Sequence, residues 1–223
     1  ILSNKMGNSL LAVRNINHKY IVIERIIKME NKKKLQVKDL MTVGIFATIY
    51  IVVKVIVGFV GVLPILCVIL PMITAIVCGT IYMLFVTKVE KFGMITILAT
   101  VVGAVMMIAG YGWPSLVVSF ICGLFADLIS KRGNYKKFST ILIGYCVFSE
   151  WGVAPLAPIW MQGDAYFADL SVTMGESFAE SYRALTPPWI IPALMVGIFL
   201  AAVVGGFFGK KIMKKHFERS GII

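Results

Sequence analysis

The chain has 223 residues, of which 59% are hydrophobic and 15% are charged, and its mean hydropathy is +0.88. Soluble domains are about 45–50% apolar and about 25% charged, so this composition excludes a soluble enzyme and a disordered chain. The net charge of +11 suits loops that contact anionic lipid, and we expect no nucleic-acid binding. The sequence therefore predicts an integral membrane protein.

Residues 1–28 differ from the rest of the chain. Their apolar residues are interrupted too often by polar ones to span a bilayer, and the sequence begins with Ile1 rather than Met. Met29, followed by Glu-Asn-Lys-Lys-Lys and an apolar stretch, resembles a natural start. We therefore expect an N-terminal extension over residues 1–28 that is flexible, lies along the inner surface or is an artefact, and a membrane domain over residues 29–223.

Six apolar stretches follow, each close to the roughly 20 residues that a helix needs to cross a bilayer. Their apolar residues are continuous rather than alternating, which predicts helices and argues against a membrane barrel. The predicted fold class is an all-α integral membrane protein with six transmembrane helices. The predicted spans are residues 39–61, 64–86, 93–110, 113–130, 138–160 and 186–209.

The distribution of Lys and Arg predicts the orientation of these helices. Basic residues concentrate in residues 1–38, in the 87–92 and 131–137 loops and in the C-terminal tail, which all lie on one side of a six-span arrangement. The positive-inside rule makes that side cytoplasmic. We therefore expect both termini on the cytoplasmic side of the cell membrane, and the long 161–185 connection outside.

Catalytic and metal-binding patterns are missing from the spans. His18 and His216 both lie in the termini, and the sequence contains neither a Walker loop nor a Gly-x-Ser-x-Gly elbow. The four cysteines lie inside predicted spans without the spacing of metal ligands,. We expect a protein that is not an enzyme and that carries neither a cofactor nor a metal.

The first span carries small residues that suit close contact between helices in lipid, namely Gly44, Ala47 and Thr48,. We interpret them as a docking face for a partner subunit. Similar small-residue pairs occur on other spans, for example Ala201 with Gly205, and internal packing is the alternative interpretation for all of them.

Charged residues inside the spans are costly and therefore informative. Lys54 and Glu150 both fall in the outer halves of their spans, where the lysine side chain is long enough for the two to pair. The alternatives are a lysine that extends to the interface and a glutamate in a structural polar contact. Asp127 is expected to lie near Lys131 or Arg132 and to have little functional interest.

The candidate binding site lies in the outer half, beneath the 161–185 segment as a lid. Lys54 and Glu150 would form its polar floor. Part of the aromatic cluster at this side is the usual interfacial belt, but rings also suit a planar or heterocyclic ligand. The other site residues are Tyr111, Trp113, Trp160 and Trp189 in the wall and Gln162 and Asp164 on the lid.

Four strings are distinctive when taken in order: YMLFVTKVEKFG at residues 82–93, GNYKK at 133–137, ALTPPWIIP at 184–192 and GKKIMKKHFE at 209–218. Together they resemble the bacterial Trep_Strep membrane family, also described as MptD-type substrate-binding (S) components of energy-coupling factor (ECF) transporters. The resemblance covers about residues 32–222.

This resemblance implies a six-helix S component that captures a small nutrient outside the cell and has no ATPase activity. It would work with a transmembrane coupling (T) subunit and two cytoplasmic ATPase subunits. Many S components carry Ala-x-x-x-Ala on the first helix for docking, whereas the nearest equivalent here is Gly44-x-x-x-Thr48 with Ala47 offset. A vitamin, a cofactor precursor or a metal chelate such as a haem-like compound are the candidate ligands. The alternatives are an autonomous secondary transporter or channel and a membrane assembly protein without a small ligand.

Overall fold

The computed structural model describes residues 36–219, with side chains up to residue 214. The predicted extension over residues 1–28 lies outside the described residues. The helices are α1 (Val37–Gly58), α2 (Pro64–Lys88), α3 (Met94–Met106), α4 (Pro114–Arg132), α5 (Phe138–Ser149), α6 (Ala157–Gln162), α7 (Asp164–Met174), α8 (Glu176–Leu185) and α9 (Ile190–Arg219). A π-helical turn, Met107–Tyr111, extends α3, and a 3₁₀ helix, Glu150–Leu156, joins α5 to α6.

Six helical segments are long and apolar enough to cross a membrane, as the sequence predicted. They are Val37–Gly58, Pro64–Lys88, Met94–Tyr111, Pro114–Arg132, Phe138–Gln162 and Ile190–Lys214. The described part of the chain contains no strand, which confirms the all-α class. The last span begins at Ile190 instead of residue 186, because the Pro187-Pro188 pair disfavours helical backbone in the residues before it,.

Glycines bring pairs of helices into backbone contact at the centre of the bundle. A side chain added at Gly79 on α2 would overlap the backbone of Gly205 on α9. One added at Gly103 on α3 would overlap Ser119 on α4. Small residues allow such approaches between helices in lipid. Most of the small-residue pairs therefore serve internal packing, which was the alternative interpretation.

Helix α1 is held differently, through aromatic side chains instead of glycines. The ring centroids of Phe46 and Phe85 lie 5.5 Å apart, and those of Tyr50 and Phe148 lie 5.8 Å apart. Near its first turn, Asp39 forms an ion pair with Lys91. Only 22% of the most apolar part of this helix is buried, the smallest share among the six spans. Most of its surface is therefore left for lipid or a partner.

Asp127, which was expected to lie near Lys131 or Arg132 and to have little functional interest, has a structural role that the sequence did not predict. It is fully buried and accepts hydrogen bonds from Gly93 N (2.8 Å), Thr96 N (3.2 Å), Thr96 Oγ1 (3.1 Å) and Tyr135 Oη (2.7 Å). The first N–H groups of a helix have no partner within it and attract negative charge. Asp127 therefore caps α3 and connects α4 to the loop after it.

The fifth span is not one continuous helix. It changes to the 3₁₀ helix at Glu150, and Pro155 lies within that segment. Gly152 packs against Pro71 of α2, where an added Cβ would lie 3.1 Å from the proline Cβ. After α6, glycines with positive φ, Gly163 (55°) and Gly175 (93°), allow the turns into α7 and α8,. These two short helices form what we call the hairpin, and they occupy most of the predicted lid.

Candidate functional site

A cavity of about 200 Å³ lies at the end of the bundle that carries the hairpin. Residues from α1, α2, the π-helical turn, the 3₁₀ helix and both hairpin helices contribute to its wall, so it depends on segments far apart in the sequence. Its aromatic and charged lining residues are Tyr50, Lys54, Tyr111, Trp151, Tyr166 and Tyr182. The cavity is thus an aromatic chamber with one lysine in its wall.

Helix α1 and the 3₁₀ helix position the lysine. Tyr50 and Lys54 are one turn apart on α1 and therefore lie on the same face,. The Lys54 Nζ atom is 4.0 Å from the centroid of the Trp151 ring and 5.9 Å from that of Tyr111. Trp151 is 2% exposed, and its Nε1 donates a hydrogen bond of 3.4 Å to Tyr50 Oη. A buried, anchored ring beneath an ammonium group is a cation–π contact.

The hairpin contributes two tyrosines, Tyr166 and Tyr182, to the wall of the cavity. Burial raises the pKa of Tyr166 and raises that of Tyr182 further above its usual range. Both hydroxyls therefore stay protonated at neutral pH and can donate hydrogen bonds. Arg183 fixes the hairpin by an ion pair with Asp164, and its guanidinium carbon lies 4.6 Å from the centroid of the Phe167 ring.

Two of the predicted site residues, Lys54 and Tyr111, line the cavity. Trp113 and Trp189 do not, and these residues are 59% and 67% exposed on the surface of the bundle. Such positions are typical of the interfacial belt that was the alternative interpretation. The other four predicted residues are also absent from the lining: Glu150, Trp160, Gln162 and Asp164.

Three of these four residues have other surroundings. Trp160 packs against a hydrophobic cluster, and its indole Nε1 is buried without a hydrogen-bond partner. The buried residues of that cluster are Val68, Leu156, Ile159, Tyr182 and Leu194. Gln162 is exposed. Asp164 is exposed as well and pairs with Arg183 within the hairpin. The predicted lid therefore exists as a segment, but its cavity-facing side chains are Tyr166 and Tyr182 instead of Gln162 and Asp164.

The structure does not join Lys54 to Glu150. Successive residues of a 3₁₀ helix point about 120° apart, so the residue after Glu150, Trp151, faces the lysine while Glu150 points elsewhere. The electrostatic neighbours of Glu150 are the thiols of Cys122 and Cys146. Its Oε2 atom is buried without a hydrogen-bond partner. The polar floor of the cavity is therefore Lys54 without the glutamate.

Sequence reasoning missed most of the chamber wall. The predicted site contained none of Tyr50, Trp151, Tyr166 and Tyr182, although all four line the chamber. One signal was available for Tyr50, because it lies one turn from Lys54. For Trp151 the signal would have been the helix break at Glu150–Leu156, which Pro155 indicates only in part.

The family follows from a comparison over most of the chain. A family model described as "Hypothetical bacterial integral membrane protein (Trep_Strep)" matches residues 37–219. The chain belongs to the Trep_Strep family. It is therefore a multi-pass bacterial membrane protein. Searches among curated proteins and among solved structures give no match.

The predicted docking residues of this Trep_Strep protein do not share one face. Gly44 is exposed, with nothing within 4 Å of an added Cβ, and Thr48 is exposed with its hydroxyl bonded to Gly44 O at 2.9 Å. Ala47 is 2% exposed and packs in the core. The exposed small surface of α1 is therefore Gly44 with Thr48, because Ala47 points to the other side of the helix.

Metal binding has no geometric support in the described part of the Trep_Strep chain. Within residues 36–214, whose side chains the structure describes, no three His, Cys, Asp or Glu side chains lie close enough together to hold a metal ion. All four cysteines are free thiols. What the cavity offers a ligand is therefore aromatic surface, tyrosine hydroxyls and one ammonium group.

Proposed function

We propose that this Trep_Strep protein is the substrate-binding (S) subunit of an ECF-type importer, which captures a small nutrient on the outer side of the bacterial membrane. The observation that carries the proposal is the chamber of about 200 Å³ beneath the hairpin. It has the features of a small-molecule site, namely mostly apolar walls with a few placed polar groups. In this proposal, the chain binds the nutrient and does not hydrolyse ATP.

The hairpin supports the capture step. Tyr166 and Tyr182 come from its two helices, so moving the hairpin would open one wall of the chamber. The glycines that begin its helices, Gly163 and Gly175, tolerate the backbone changes that such a movement needs,. A nutrient would enter from the hairpin end, lose its water there and be covered by the two tyrosines.

The size of the chamber limits the range of candidate ligands. An engineered protein cavity of about 150 Å³ accommodates one benzene molecule. A chamber of about 200 Å³ therefore suits a compound with a single ring, such as a small vitamin or cofactor precursor. A haem-like chelate, with four pyrrole rings, needs a larger space than this arrangement provides.

Helix α1 supports the partner assignment. It is the least buried span, and its exposed side presents Gly44 and Thr48 between larger apolar residues. Small residues flanked by larger ones let a second helix approach closely. We propose that the T subunit docks on this side of α1 and connects the chain to two cytoplasmic ATPase subunits.

The docking test is co-purification of the T and ATPase subunits with the chain. Gly44→Leu should abolish the complex and the uptake it drives, while the isolated subunit folds normally, because nothing lies within 4 Å of the added Cβ. Gly58→Leu is the matched control, since that glycine on the same helix also faces open space. Equal loss of the complex in both variants would contradict docking at Gly44.

The orientation test uses two engineered cysteines. The proposal places the hairpin outside and the loop between α4 and α5 inside. Ser177→Cys, exposed on the hairpin, should react in intact cells with a maleimide that cannot cross membranes. Lys137→Cys, exposed at the other end, should react only after lysis. The opposite labelling pattern would exclude capture from the outer side.

Two other functions predict different results. An autonomous secondary transporter or channel would move its ligand in vesicles that contain this chain alone. A membrane assembly protein would bind no small molecule in the chamber. The S-subunit proposal requires both binding by the isolated chain and uptake that depends on the ATPase partners, so these two measurements separate the three functions.

A further inference from the structure

The charge of the chamber wall has one sign. Among its lining residues, Lys54 is the charged side chain, and no carboxylate is among them. Lys54 is also absent from the ion pairs of the described residues, which join Lys91 to Asp39, Lys136 to Glu90 and Arg183 to Asp164. Its contacts are the rings of Trp151 and Tyr111. Within the described residues, the lysine therefore faces the cavity without a counter-ion.

Removing the Lys54 ammonium group from water costs free energy unless a partner compensates its charge. An ammonium group taken out of water inside a membrane protein pairs, as a rule, with an acidic group or a backbone carbonyl. The Trp151 face at 4.0 Å offsets part of this cost,, but a ring carries no formal charge. The acidic residue closest in sequence to the site, Glu150, is directed away from the cavity. The open side of Lys54 is thus suited to an anion supplied by a ligand.

The other polar groups of the wall favour the same chemistry. The Tyr166 and Tyr182 hydroxyls are neutral at pH 7, as tyrosines ordinarily are, and burial raises their pKa further. They therefore offer donors and no negative charge that would repel a carboxylate, although the Tyr182 hydroxyl also bonds with the Cys67 thiol. Tyr111, whose ring lies 5.9 Å from the Lys54 nitrogen, adds a third hydroxyl. Charge-assisted hydrogen bonds from such donors are stronger than neutral ones.

We infer that the chamber selects a small organic anion, a compound with one flat ring and one carboxylate, for which Lys54 is the counter-ion. The ring stacks in the aromatic part of the wall, and the carboxylate lies at the Lys54 ammonium within reach of the tyrosine hydroxyls. This inference rests on the proposed function and names the substrate class of the same site. A cationic compound of equal size is excluded by repulsion from the lysine.

The alternative is that Lys54 only fastens α1 to Trp151 through the cation–π contact. In that case the chamber would not distinguish ligands by charge, and replacement of Lys54 would reduce stability without changing any selectivity. The experiment must therefore compare probes that differ in charge at constant ring size, and variants that differ in charge at constant side-chain length.

The test uses the purified full-length chain in detergent and three probes, benzoate, benzamide and benzylamine, with binding measured by calorimetry. Benzoate should bind at least roughly tenfold more tightly than benzamide, and benzylamine should not bind, because a charged pair contributes a factor of this order. Lys54→Met should remove the preference for benzoate, whereas Lys54→Arg should retain it. Lys88→Met, an exposed lysine at the far end of α2, is the control and should behave like the wild type.

Three results would overturn the inference: equal binding of benzoate and benzamide, binding of benzylamine, or no binding of any probe. If Lys54→Met failed to fold, the binding of the three probes to the wild-type protein would still test whether the chamber selects an anion. The inference and the proposed function can fail separately. Charge-selective binding without co-purified ATPase subunits would contradict only the proposed importer function. A stable complex with the ATPase subunits whose probe binding does not depend on charge would contradict only the inference of an anionic ligand.

Discussion

Asp127 and Glu150 are both carboxylates inside membrane spans, yet their surroundings are opposite. Asp127 accepts hydrogen bonds from two backbone N–H groups and two hydroxyls. Glu150 has one carboxylate oxygen buried with no partner at all. Charged residues in spans are generally treated as functional candidates. Here one of the two is a structural cap, and the difference lies in the donors around it rather than in its depth in the membrane.

The two ends of the bundle also differ in their polar contacts. At the end that holds Asp127, the helices are joined by defined polar contacts, including the Asp39–Lys91 ion pair. At the hairpin end, within the described residues, Lys54 is in no ion pair, and Glu150 Oε2 and Trp160 Nε1 have no hydrogen-bond partner. Two buried hydroxyls near Asp127, those of Tyr82 and Ser130, also lack a partner, so unpaired groups alone do not separate the two ends. What separates them is the cavity of about 200 Å³ that Lys54 faces, which is the observation behind the proposal of ligand binding at the hairpin end.

The largest expected effect comes from replacing the two carboxylates by their amides. Asp127→Asn should lower the free energy of unfolding by about 2–4 kcal/mol, because the new NH₂ group faces donors and the charge at the start of α3 is lost. Glu150→Gln should change it by less than about 1 kcal/mol, since no hydrogen bond is broken. Thermal unfolding of both variants in the same detergent measures the difference.

Equal destabilisation by the two amides would contradict the contrast between the ends. It would mean that Glu150 has a partner that its buried Oε2 atom does not reveal. A larger loss for Glu150→Gln than for Asp127→Asn would reverse the assignment of the structural carboxylate.

The sequence was sufficient for the spans and insufficient for the directions of side chains. Six continuous apolar stretches predict six helices because a bilayer leaves the backbone no other way to satisfy its polar groups. Depth alone, however, placed Trp113 and Trp189 beside Lys54, although both rings point out of the bundle. Which face a residue occupies depends on helix rotation, which sequences of almost uniformly apolar spans do not specify.

Local breaks in helices were the second feature that the sequence did not predict. The change to a 3₁₀ helix at Glu150 separates the directions of Glu150 and Trp151, so the predicted pair with Lys54 does not form. The contacts of Asp127 were not predicted either. Its donors at the start of α3 are brought to it by tertiary packing, whereas Tyr135 lies only eight residues further along the chain.

A smaller difference in stability is expected between two tyrosine variants, one at each end of the bundle. Tyr135 Oη donates to Asp127, so Tyr135→Phe should cost about 1.5–3 kcal/mol at neutral pH, as hydrogen bonds to charged groups do. Tyr166→Phe on the hairpin, with no such bond, should be nearly neutral there. Chemical unfolding of both variants at pH 7 measures the two losses, and equal losses would contradict the contrast.

Alkaline pH extends this comparison, because the folded-state pKa of both tyrosines is raised. Burial raises the pKa of Tyr135, and its hydrogen bond to Asp127 and the charge of that group raise it further; burial is the main cause for Tyr166. The unfolded chain loses these protons near pH 10 while the folded protein retains them, so stability falls as the pH rises above about 10, by up to about 1.4 kcal/mol per pH unit for each tyrosine. Each Phe variant should make this fall shallower than in the wild type. An unchanged slope for Tyr135→Phe would mean that the hydroxyl ionises as easily in the folded protein as in the unfolded chain, which is incompatible with donation to a buried carboxylate.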